Sequence, residues 1–80
     1  MAVCLTIFTE HQEWDVFVPY DDAVAAAALW RAGEVQWVDV TGRDFEGSAT
    51  RGIFENAAII GMTVSDARRW KPPSPPPERQ

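Results

Sequence analysis

His11 lies between Glu10 and Glu13, and an imidazole flanked by carboxylates is the beginning of a divalent-metal site. A closed site takes about four ligands, yet the chain has no second histidine and only one cysteine. No metal or other cofactor is therefore expected. Cys4 and His11 are also the one pair that could act as thiol and base. Cys4 stands in an apolar run, the usual setting of an inert buried cysteine, with no basic residue nearby in sequence to stabilise its thiolate. Asp21 and Asp22 could share acid and base work if a cleft drove their pKa values apart. They directly precede an alanine run, however, and helix capping accounts for them more simply. Gly42 and Gly47 bracket Arg-Asp-Phe-Glu without the GK[ST] ending of a phosphate loop, so a turn is the better reading. No nucleophile, base and orienting group come together, and no enzymatic activity is expected.

Charge points instead to a partner. The 80 residues carry a net charge of −5, unevenly spread. Through residue 66, eleven acids face only Arg31, Arg43 and Arg51, a balance of −8; beyond it, Arg68, Arg69, Lys71 and Arg79 face Glu78, a balance of +3. Nucleic-acid affinity rests on lysine and arginine meeting phosphates, so the acidic part is unsuited to direct nucleic-acid binding. Arg68-Arg69-Trp70-Lys71 mixes cations with a stacking aromatic, as single-strand binders do, but it is one short cluster. A basic protein surface is the expected partner.

Eighty residues with 46% hydrophobic content support a single core. The expected organisation is a compact acidic domain over residues 1–67 and a basic, proline-rich tail over 68–80. The tail has five prolines in its last nine residues, which favours extended polyproline II over packing. A lone cysteine fits a reducing compartment. The first residues lack the basic start of a secretory signal, and no run approaches the roughly 20 apolar residues of a membrane helix. A cytoplasmic monomer without membrane contact is expected.

The elements that position these residues follow from periodicity. Val3 to Phe8 and Trp14 to Val18 read as two hairpin strands, with Val3, Leu5 and Ile7 sharing one face and Trp14, Val16 and Val18 another. Residues 10–13 form the exposed turn, and Pro19 ends the second strand. A helix is predicted over 21–32, capped by Asp21 or Asp22, anchored by Val24, Leu29 and Trp30, and stopped by Gly33. Val35 to Thr41 reads as a central strand because both of its faces carry apolar residues. Ala49 to Phe54 and Ile59 to Val64 complete the set. The order ββαβββ predicts an α+β domain: one antiparallel sheet with a helix on one face.

The run FVPYDDAVAAAALWRAGEVQWVDVTGRD, followed by GIFENAAIIGMTV, resembles small phage and prophage proteins in which a strand and helix lead into a three-stranded antiparallel meander. In length, charge and composition the chain also resembles anti-CRISPR proteins, in particular the type I-C inhibitors, a class without a shared signature. The likeness implies a phage or prophage protein in the bacterial cytoplasm that binds a CRISPR surveillance complex and keeps it from engaging target DNA. Acids at the helix start and the strand turns would then carry the contact: Asp21, Asp22, Glu34, Asp44 and Glu46. The alternative is a small phage structural, assembly or adaptor protein whose sheet edge or aromatic residues mediate contacts.

Overall fold

Alternation of Val3, Leu5 and Ile7 with Cys4 and Thr6 gives an extended segment one wholly apolar face, and Trp14, Val16 and Val18 repeat the pattern. In the computed structural model, which describes residues 2–66, these segments form β1 (Ala2–Thr9) and β2 (Glu13–Pro19). They pair antiparallel, with Val3 opposite Val18, Leu5 opposite Val16 and Ile7 opposite Trp14. Leu5, Ile7 and Val16 are fully buried at the centre of the core. On the opposite face, the Thr6 hydroxyl donates to Asp15 Oδ1 at 2.6 Å. The expected basic tail, residues 68–80, lies outside the described residues.

The helix α1 (Tyr20–Ala32) follows β2 directly. Its N-cap is Pro19, at φ −59° and ψ 148°, and no side chain caps it. The expected cap by Asp21 or Asp22 is thereby corrected. The proline ring holds φ near the helical value, so the helix begins at Tyr20, and both acids fall in its first turn, beside the positive end of the helix dipole. Gly33 ends the helix at φ 68°, donating its N–H to the carbonyls of Leu29 and Trp30 at 3.3 and 3.2 Å. The expected anchors are corrected too. Ala23 and Ala26 are the buried contacts, whereas Val24 and Leu29 remain 46% and 48% exposed. Methyl side chains let the helix lie so close to the sheet that bulkier neighbours are displaced to its flanks; only Trp30 still packs on the core.

Three more strands complete one five-stranded antiparallel sheet: β3 (Trp37–Arg43), β4 (Ala49–Glu55) and β5 (Ile59–Asp66), the last two joined by a three-residue 3₁₀ turn, Asn56–Ala58. This is the α+β architecture expected, with strand order β4-β3-β2-β1-β5. The three-stranded meander is not formed. β5 leaves β4 and pairs with β1 at the other edge, setting Leu5 opposite Val64 and Ile7 opposite Met62. β1 demands this because Val3 to Ile7 is buried throughout, so its backbone groups on both edges must be paired within the sheet. β3 starts two residues later than expected, so Val35 packs on the core ahead of the strand and Trp37 turns outward.

Chain length shows that this sheet is not flat. Five strands laid side by side separate their edges by about 19 Å, whereas the four steps from Glu55 to Ile59 span at most about 14 Å. The β3–β4 hairpin must therefore fold back over the inner face. Phe54 of β4 accordingly meets Trp14 of β2, with ring centroids 5.3 Å apart and planes at 49°. The indole lies against Gly52, where an added Cβ would come within 2.8 Å of it. β2 and β3 share one bridging pair, Phe17 with Arg43. Next to that corner, a Cβ on Gly42 would overlap the Phe17 carbonyl oxygen and the side chains of Val16 and Val18.

Gly42→Ala should therefore lower the unfolding free energy by about 3 kcal/mol in urea denaturation, because its Cβ meets backbone that cannot step aside. Gly61→Ala, whose Cβ would meet only the Phe8 ring at 3.7 Å, should change it by less than about 1 kcal/mol. Equal effects would remove Gly42 as the corner residue.

Candidate protein-binding surface

Residues 2–66 contain eleven acids and three arginines. Strand register commits two of those arginines to local contacts. Arg51 grips Asp39 with two bonds, Nε to Oδ1 at 2.9 Å and Nη2 to Oδ2 at 2.6 Å. Arg43 donates Nη1 to the Gly47 carbonyl at 2.8 Å, bracing the β3–β4 turn. Arg31 sits in the last turn of α1, at the negative end of the dipole. The outward field of the described residues is therefore set by carboxylates.

The five expected contact residues fall into three places. Asp21 and Asp22 are exposed together in the first turn of α1. Glu34 is exposed just past Gly33, about 20 Å away along the thirteen-residue helix. Asp44 and Glu46 share the β3–β4 turn in different roles. Asp44 is half-buried, and its Oδ1 accepts the backbone N–H groups of Glu46 and Ser48, both at 2.9 Å. That carboxylate builds the turn, whereas Glu46 is exposed at its tip. The structure thus groups Asp21 with Asp22 and Asp44 with Glu46, and leaves Glu34 apart.

Sequence reasoning missed Asp39. In the register set by Phe17 and Arg43, Thr41 would face Pro19, which has no N–H to offer. The earlier residues of β3 consequently run past the end of β2 and lie beside α1. Between them is a groove lined by Asp22, Ala25 and Leu29 of α1 and by Asp39 and Thr41 of β3. Trp37 and Ile53, each just over half exposed (54% and 53%), flank the Asp39–Arg51 ion pair on the outer face of the hairpin. The alternation Trp37-Val38-Asp39-Val40 signals that Asp39 faces outward; its arginine lies twelve residues on and emerges only from the register. An exposed aromatic beside an ion pair is the composition of a protein-contact anchor.

The residues considered for catalysis stay apart. Cys4 is buried opposite Phe17, and burial pushes its thiol pKa up. His11 is exposed in the β1–β2 turn, 3.9 Å from Glu10. Among the described residues no three His, Cys, Asp or Glu side chains cluster as a metal site. Nor is any described helix long and apolar enough to cross a membrane.

Two measurements check this description. The Arg51 bonds hold the Asp39 carboxyl below its usual pKa. A lowered native-state pKa gives stability that is present above the unfolded-state value and disappears as pH falls through the native one. Wild type should thus be more stable than Asp39→Asn at neutral pH, and the two should converge in strong acid; a difference independent of pH would exclude the ion pair as its origin. Cys4 should resist thiol reagents in the native protein and react fully in denaturant. Compared with known proteins, the chain matches no protein-family model, no curated protein and no solved structure.

Proposed function

We propose that the protein is a non-enzymatic, phage- or prophage-encoded inhibitor that binds a type I CRISPR surveillance complex through its acidic surface and blocks its engagement of target DNA in the host cytoplasm. The observation carrying this reading is the asymmetry of exposed charge. Asp21, Asp22, Glu34 and Glu46 are exposed, while Arg51 and Arg43 are engaged within the β3–β4 hairpin. A surface that holds DNA must be rich in lysine and arginine. Such a surface attracts an acidic competitor, chiefly by accelerating encounter and disfavouring other partners. A standard interface of about 800 Å² per partner fits a domain of this size. The resemblance in size and charge to the type I-C inhibitors supports the same reading.

A second reading, a phage assembly or adaptor protein, is favoured by the exposed Trp37 and Ile53. It locates the contact on the outer face of the hairpin and makes it insensitive to the acids of α1.

Pull-down with purified type I surveillance complexes, followed by a target-DNA gel shift with the protein added before or after DNA, tests the first reading. Inhibition should require addition before DNA. The double variant Asp21→Lys, Asp22→Lys should weaken binding by roughly tenfold or more, and rising salt should weaken the wild-type contact. Full inhibition by the double variant would reject the acidic surface, and no binding to any such complex would reject the inhibitor.

A further inference from the structure

β5 is paired on one side only. Gly61 to Asp66 run in continuous register with Phe8 to Val3 of β1, while Ile60 bulges at the start. Among the described residues, no strand pairs with the outer edge of β5. Edge strands are ordinarily protected from pairing with another chain by lysine, proline or an inward-pointing charge. The stretch Ile59 to Ser65, IIGMTVS, has neither charge nor proline, and the one charge of β5, Asp66 opposite Val3 on the inner face, stands at its last position. The opposite edge differs, since β4 carries Arg51, paired to Asp39, and Glu55.

An apolar flank adjoins this edge. Val64 lies on the inner face opposite Leu5, yet it remains 42% exposed. Because Asp22, Ala25 and Leu29 turn toward β3, helical spacing puts Tyr20 and Val24 on the other flank of α1. That flank faces β5, against which α1 also packs, and both side chains are about half exposed. The strand edge from Ile59 to Ser65 and the flank at Tyr20 and Val24 are uncharged; Arg31, seven residues beyond Val24, continues that flank two turns farther along α1.

We propose that this edge and flank form a homodimer interface, in which the β5 strands of two copies pair antiparallel across a two-fold axis at Thr63 and join two five-stranded sheets into one. The edge is self-complementary in that register. Thr63 meets its own copy, Met62 of each chain faces Val64 of the other on the inner face, and Gly61 faces Ser65. Threonine pairs and apolar cross-strand pairs both favour a ladder, and no like charges stand opposite one another. Charge selects a second copy as the occupant. A basic partner is drawn to the carboxylates elsewhere, and the stretch Ile59 to Ser65 has none; two chains, each at −5, repel least where they meet through it. The eight-residue strand is about 27 Å long. A specific interface takes roughly 1,000 Å² in total, so Val24 and Tyr20 must pack beside the paired strands. On this proposal a dimer takes the place of the expected monomer.

Sedimentation of the full chain over a wide concentration series tests this. Wild type should reach twice the 8.9 kDa chain mass, and added salt should strengthen the association by screening the repulsion. Val64→Lys, on the inner face, and Thr63→Lys, on the outer face, should each weaken it at least tenfold with unchanged far-UV circular dichroism. Ile53→Lys on β4 should leave it intact. Should Val64→Lys unfold the domain, Thr63→Lys decides. A wild-type chain that stays at 8.9 kDa, a dimer that survives a folded lysine variant, or association weakened by salt would overturn the proposal.

Discussion

Gly42 passes so close to the carbonyl of Phe17 that no side chain fits between them, and the rest of the architecture depends on that contact. It lets β3 touch β2 at a single bridging pair and then turn away, where a continued ladder would have kept the sheet flat. Once turned, the hairpin brings Phe54 onto Trp14 and shields Val38 and Val40 from water. The same turn brings the end of β4 within reach of the far edge, so three residues suffice to carry the chain to β5. A side chain at this corner would push the hairpin outward and strain each of these contacts in turn.

Local structure was legible in the sequence wherever one period dominates. Val3, Leu5 and Ile7, then Trp14, Val16 and Val18, announce two strands and their buried face; the alanines and Gly33 announce the helix and its end. Placement was less legible, because it depends on pairings between residues far apart. Nothing between Ile59 and Val64 says that its neighbour is β1 and not β4; that follows from the burial of β1 on both faces. Val24 and Leu29 misled because apolarity implies burial only where space exists, and the alanines had already closed the gap.

The acidic surface shows the same division. Position in a turn or a first helical turn marks Asp21, Asp22, Glu34 and Glu46 as exposed, and they are. Asp44 stands in the same turn as Glu46, but it accepts two backbone N–H groups and so serves the hairpin first. Asp39 went unnoticed because its meaning lies in a partner on the next strand. Carboxylates of equal standing in a charge count thus divide into those that hold the fold and those that face outward.

The pairing of β1 with β5 joins Val3 to Asp66, the two ends of the described chain. Contacts of such long sequence separation form late, since the intervening loop must first be closed. On the ribosome β1 is made before the other four strands and waits for the last of them. Until then β1 has only β2 beside it, with its other edge bare and Leu5 and Ile7 incompletely covered. The domain therefore folds essentially after its final strand has emerged, and a nascent chain halted before residue 59 leaves β1 open to other extended segments.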